Sequence, residues 1–244
     1  MDAASKLARA KAKFGSIDDR NRPVEGSQEG QNGPQKEILK SQGGETGFCM
    51  ELIENAVHLC VDMQRIFASG GVWETPRMKR VLPAIVGITA QHPERTIFTR
   101  FMTPYSTGQT WGRWKLYFER WKMATRQSIG GMQLDLVPEL ARFAPPAIII
   151  DKPAYSAFFR SPLATLLQEK GVGTVVVTGA ETDVCVLSTV LDAVDIGLRV
   201  ILVDDALCSS SDEGHDALMT MYRMRFHDQI ELIKAAELPE VWKH

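Results

Sequence analysis

Apolar positions along this chain follow two different periods, and from residue 53 onward the two alternate. Runs that are apolar at nearly every position, such as Ala56-Val57-His58-Leu59-Cys60-Val61 and Val175-Val176-Val177, suit strands buried on both faces. Between them lie longer stretches with apolar residues at helical spacing. The pattern predicts strands at 56–61, 96–99, 146–150, 174–178, 199–203 and 230–233. It predicts helices at 76–90, 161–170, 183–196 and 211–225, the first opened by Pro76 and the last capped at Ser211. Strands that alternate with helices imply an α/β fold with a parallel sheet covered on both sides.

Residues 1–50 break this pattern. Gly15 to Gly47 is rich in Gly, Gln, Asn, Glu and Ser and has almost no apolar periodicity. Such a segment buries too little to offset its ordering entropy, so it reads as a flexible N-terminal tail ahead of one folded domain at 51–244. Lys6, Arg9, Lys11 and Lys13 suit a short basic helix. Asp2, Asp18, Asp19 and the scarcity of hydroxyls argue for a solvated extension rather than a transit peptide.

The composition narrows the setting. A chain of 244 residues with 44% apolar content supports one large core. A net charge of -2 without a basic stripe argues against nucleic-acid or membrane partners. No apolar run approaches the ~20 residues that span a bilayer, and no secretory core is visible near the start. Cys49, Cys60, Cys185 and Cys208 lack metal-type or framework spacing, which suggests reduced thiols and a cytoplasmic setting.

In open parallel sheets the ligand site lies beyond the carboxyl ends of the strands. Asp62, Arg100, Lys152 and Cys185 each follow a predicted strand end. Cys185 falls on the first turn of the 183–196 helix, where free N–H groups and the helix dipole favour a thiolate and an oxyanion. Such a cysteine should alkylate quickly near neutral pH. Asp62 suits a general base beside the thiol, and the Lys152 ammonium would support both anions. Each has a plainer reading alone: a small buried hydrophobe, a helix cap and a strand end at the surface. For Cys49, Cys60 and Cys208, the last in a Ser-rich loop, the plainer reading holds.

These residues carry a resemblance. The blocks Val61-Asp62-Met63-Gln64, Thr99-Arg100-Phe101, Asp151-Lys152-Pro153 with Ser156-Ala157-Phe158, and Thr178-Gly179-Ala180-Glu181-Thr182-Asp183-Val184-Cys185-Val186 resemble the isochorismatase-like cysteine hydrolases. That family includes nicotinamidases and N-carbamoylsarcosine, ureidoacrylate and biuret amidohydrolases. The resemblance spans roughly 53–235. It implies a Rossmann-like three-layer α/β/α fold around a six-stranded parallel sheet, with an Asp62–Lys152–Cys185 triad that cleaves a C–N bond through a thioester. It also implies a cis peptide between Ala180 and Glu181, and an oxyanion hole of the Glu181 and Cys185 N–H groups. Members without the cysteine cleave a vinyl ether, so Cys185 argues against that chemistry. The alternatives are a vinyl-ether or pteridine-type hydrolase using the same pocket, which should survive loss of the thiol, and, from another class, a catalytically idle binding or scaffold subunit.

Nicotinamidases of the family carry an Asp-x-His metal motif after the second strand. This chain has Arg100-Phe101-Met102 there, and His58, His92, His215, His227 and His244 show no ligand spacing, so neither a metal nor another cofactor is expected. His58 should be a satisfied core residue and the other histidines solvated. Arg100 has two readings, a clamp for a substrate carboxylate or a surface ion pair. Trp111, Trp114, Phe118 and Trp121 recur on one helical face, flanked by Arg113, Lys115, Arg120 and Lys122 as a solvated face. They suit core packing or a homo-oligomer interface in a dimer or tetramer, or else the pocket mouth, with Trp111 and Tyr105 as its best candidates. Gln64 and Phe67 should shape the first loop of a pocket for a small-molecule substrate.

Overall fold

The sheet at the centre of the molecule has the order β3-β2-β1-β4-β5-β6, all neighbours parallel. Its strands are β1 Ala56–Val61, β2 Thr96–Phe101, β3 Ile148–Lys152, β4 Thr174–Ala180, β5 Arg199–Cys208 and β6 Ile230–Ile233. The principal helices are α1 Met78–Gln91, α2 Arg113–Arg120, α3 Leu163–Glu169, α4 Leu187–Ile196 and α5 Asp212–Arg225. These elements come from a computed structural model, which describes residues 50–243. The tail and basic helix expected within 1–50, and Cys49 with them, lie outside the described residues. Among these, no helix is long and apolar enough to cross a membrane.

The period of two along the strands makes two cores. Cys60, Val176, Ile201 and Val203 point to one face, where Val81, Ile85 and Ile88 of α1 cover them. Val57, Leu59, Val61, Val175, Val177 and Leu202 point to the other. There Leu163 and Leu167 of α3, Val190 and Ala193 of α4, and Met219 and Tyr222 of α5 close the layer. Each such side chain contributes roughly 1.5–3 kcal/mol by leaving water, and β1 is buried along its whole length. The helix α5 begins as expected, with the Ser211 hydroxyl accepting from the Gly214 N–H at 3.0 Å.

Three strands run further toward their carboxyl ends than their apolar runs suggest. β2 takes in Arg100 and β3 takes in Asp151 and Lys152, because Arg100 and Asp151 face each other across the ladder. β5 continues through Asp204 and Asp205 to Cys208, past a register shift against Val177 and Gly179 of β4. Cys208 is therefore the buried last residue of a strand, not a loop residue. The helix expected at 183–196 opens instead with a π-helical turn, Thr182–Val186, that runs into α4.

Strand order reverses between β1 and β4, the crevice where such sheets take their ligands. The two backbones come unusually close there. Gly179 has φ +113°, and a Cβ on it would fall 2.1 Å from the Val61 carbonyl oxygen. One residue further along β1, Asp62 turns out of the sheet with φ +49°, a region that aspartate tolerates better than most residues.

Candidate active site

Three strand ends bring the candidate residues together. Asp62 follows β1, Lys152 closes β3, and Cys185 sits on the turn after β4; all three are buried. Lys152 Nζ lies 2.7 Å from Asp62 Oδ2, with neither side chain exposed. The same ammonium donates to the carbonyls of Ala154 at 2.9 Å and Tyr155 at 2.7 Å, and stands 5.3 Å from the centre of the Phe101 ring. This lysine cannot turn away without abandoning two hydrogen bonds and its counter-charge.

Asp62 is held from its other side by a residue that sequence reasoning passed over. The Thr99 hydroxyl accepts from the Asp62 N–H at 3.2 Å and donates to Asp62 Oδ1 at 2.7 Å. Oδ2 faces the ammonium but accepts no well-angled hydrogen bond, so it retains a lone pair for a proton. Cys185 interacts with both Asp62 and Lys152. Burial pushes the Cys185 thiol well above its ordinary pKa; Lys152 pulls it down, and Asp62 pushes it up again. The lowered thiol pKa expected from the helix terminus is thus reversed, because loss of solvent outweighs the helix end and the lysine. Burial also works against the Lys152 ammonium, but Asp62 and Cys185 outweigh it and its pKa is raised. At rest the thiol, held toward its neutral form by burial, lies beside the buried Asp62–Lys152 pair.

The turn that carries Cys185 is fastened from α5. His215 Nδ1 lies 2.9 Å from the Thr182 hydroxyl, Ser209 donates to Asp183, and Gly214 leaves no room for a Cβ beside that carboxylate. The Thr189 hydroxyl donates to the Cys185 carbonyl at 2.7 Å. The peptide between Ala180 and Glu181 is cis. Of the histidines, His58 is buried between the hydroxyls of Thr96 and Thr178, at 3.2 and 2.8 Å. His92 and His215, expected in solvent, are buried as well; His92 stacks on Trp242 with ring centres 3.8 Å apart. His227 is exposed, and His244 lies outside the described residues.

A cavity of about 310 Å³ opens onto Cys185. Its walls include Phe67, Trp73, Phe101, Tyr117, Trp121 and Tyr155. Trp73 is the hub, with its ring 5.9–6.2 Å from those of Phe67, Phe101, Tyr117 and Trp121. The polar wall residues are Glu74, Glu181 and Ser210. Glu181 accepts from the Ser210 N–H at 3.1 Å, and burial raises its pKa.

Several expected contacts fall elsewhere. Arg100 does not line the cavity. Its guanidinium grips Asp151 with two bonds, at 2.7 and 3.0 Å, and reaches Asp135 at 3.1 Å, so the substrate clamp gives way to the ion-pair reading. Gln64 is fully buried and spends its amide on Leu134 O and on both backbone groups of Phe101, which pins the first loop but leaves nothing for substrate. Tyr105 and Trp111 are 54% and 79% exposed, outside the cavity. Trp111 precedes α2 and is separated from it by Gly112 at φ +58°, so the helical phase does not extend to it. Of the stripe Trp111, Trp114, Phe118 and Trp121, Trp121 lines the cavity, joined there by Tyr117, which lay outside the stripe. Tyr155 and Trp73 carried no periodic signal.

Among the described residues, no three His, Cys, Asp or Glu side chains converge as a metal site requires.

A family model described as "Isochorismatase domain" matches residues 56–234. The ureidoacrylate amidohydrolase RutB of Enterobacter sp. (strain 638) is 37% identical over 84 residues, 34% of this chain. The match spans only 36% of that relative's length. Among solved structures, a cysteine hydrolase from Pseudomonas syringae pv. phaseolicola 1448A superposes with a TM-score of 0.66 at 21% identity. It covers 78% of this chain and 96% of its own, a likeness of fold. The pyrazinamidase/nicotinamidase of Streptococcus mutans UA159 reaches 0.61 at 25% identity, over 73% and 99%.

Proposed function

Because the chain belongs to the isochorismatase family, we propose that it is a cysteine hydrolase that cleaves the C–N bond of a small linear amide, ureide or carbamoyl compound. The observation that carries this reading is the fully buried Asp62–Lys152 ion pair, 2.7 Å long, set against Cys185, the one cysteine of the cavity wall among the described residues.

The geometry supports the following sequence. With the thiol neutral at rest, attack and proton transfer are coupled: Cys185 Sγ bonds to the substrate carbon as its proton passes to Asp62 Oδ2. Lys152, 2.7 Å from Asp62, holds that carboxyl in place and offsets the charge that develops in the cluster. The carbonyl oxygen becomes an oxyanion, received by the N–H groups of Glu181 and Cys185 at the head of the turn. The C–N bond then breaks, Asp62 returns the proton to the departing nitrogen, and a thioester remains. Asp62 next takes a proton from water, which adds to the thioester, and collapse releases the acid and restores the thiol. No step calls on a metal or cofactor.

The test is ammonia release from a panel of amides, ureides and carbamoyl compounds. Wild type should turn over at least one, and Cys185→Ala should retain less than about a thousandth of that rate. Ammonia release that survives the substitution would sink the covalent mechanism. Silence from a broad panel would favour the idle binding subunit.

A further inference from the structure

The cavity walls say which amide fits, an inference that rests on the hydrolase reading above. We propose that the substrate's non-reacting end carries an ammonium group, held against the rings of Trp73, Tyr117 and Trp121 with Glu181 as its counter-charge.

Two features of the walls point the same way. The aromatic residues crowd around Trp73 within 5.9–6.2 Å, and they line one open volume rather than filling it. Their π faces attract a cation, most strongly when water is excluded. Among the described residues, the charged wall residues, Glu74 and Glu181, are both acidic, and no lysine or arginine lines the cavity. Glu74 is exposed at the mouth, where the Ser69 hydroxyl and the Gly70 N–H hold it. Glu181 is half-buried, and among the described residues its hydrogen bonds come from Ser210, through its N–H and its side chain, with no cationic partner.

That difference decides between ligand classes. A neutral apolar group seated over Glu181 would strip water from a carboxylate and give it nothing in return, which is costly, and a neutral N–H would return a hydrogen bond but leave the charge unmatched. An anionic group would add repulsion from two carboxylates, and the nearby arginine that would relieve it is consumed by Asp151 and Asp135. A cation matches the charge of the carboxylate it desolvates. Lys152 does not oppose it, since its charge is matched by Asp62 behind the thiol.

The experiment uses Cys185→Ala protein, which binds without turnover, and reads the fluorescence of the wall tryptophans. Three matched amides are titrated: trimethylammonioacetamide, its neutral carbon isostere 3,3-dimethylbutanamide, and anionic succinamate. The cationic amide should bind on the order of tenfold more tightly than the isostere, with succinamate weakest. Adding Glu181→Gln should cut that preference to about twofold or less. Equal binding of cation and isostere, a preference for succinamate, or no binding of any would overturn the inference without reference to any variant at Glu181. Ammonia release by wild type separates the two claims. Cysteine-dependent turnover without cation preference leaves the hydrolase standing and removes this substrate class. Cation preference without turnover does the reverse.

Discussion

Asp62→Asn is the most informative single change, because it separates what the buried pair does for stability from what it does for chemistry. In wild type the 2.7 Å ion pair lies wholly out of solvent. At an effective dielectric near 20, two unit charges at that distance attract by about 6 kcal/mol, most of which offsets the desolvation of both. Asparagine keeps the shape and can still accept from Thr99, but it leaves the Lys152 ammonium with two carbonyls and no counter-charge. The expected loss of stability is about 3–5 kcal/mol. Lys152→Met strands the carboxylate instead and should cost a similar amount. The double variant buries no charge, so it should be more stable than either single one, with a coupling of at least about 2 kcal/mol. Activity should not follow. Asp62→Asn should lose about 10²–10⁴-fold in kcat, and the double variant should recover none of it. Urea unfolding followed by circular dichroism gives the first set of numbers, and single-turnover kinetics gives the second. If Asp62→Asn costs less than about 1 kcal/mol and the two changes add, the pair is not the buried, matched unit described here.

Three further outcomes follow from the same geometry. Gly179→Ala puts a Cβ 2.1 Å from the Val61 carbonyl at a φ of +113°, and should cost about 2–5 kcal/mol in urea unfolding; a cost below 1 would mean that β1 and β4 are not so close. Burial, with help from His92, lowers the His58 pKa to about 3 from about 6.5 unfolded, so the stability held by its neutral form is full above about pH 6.5 and is lost as pH falls toward 3. Wild type should lose about 1.4 kcal/mol more per pH unit in that window than His58→Gln, and parallel pH profiles would refute it. Because burial raises the Cys185 thiol, its modification by a small neutral thiol reagent should still be accelerating above pH 9, whereas a plateau near neutrality would indicate a preformed thiolate.

The apolar periods marked all six strands and the main helices, since a strand buried on both faces is apolar at each position and a helix shows its stripe. Strand ends were less legible. A ladder continues through charged residues when they pair across it, as Arg100 does with Asp151, and no single-strand pattern shows the partner. The same blindness left both readings of Arg100 open. Strand-end logic picked out Asp62, Lys152 and Cys185, whereas Thr99 escaped because its part is to hold Asp62 through a hydroxyl, with no motif of its own. The direction of the Cys185 pKa was misjudged for a related reason: a helix terminus is visible in sequence, and the depth of burial around it is not. Trp73 and Tyr155 reach the cavity by tertiary packing alone, so periodicity gave them no mark.

The central claim is that Cys185 carries the acyl group. The direct measurement is acid-quenched mass spectrometry of wild type during turnover of the best amide from the panel. The account predicts that the acyl increment appears on the peptide containing Cys185 before the steady state, decays at the rate of product formation, and is absent from Cys185→Ala. A wild-type enzyme that turns over with no adduct under conditions where deacylation is slowed, alongside a Cys185→Ala variant of undiminished rate, would contradict it.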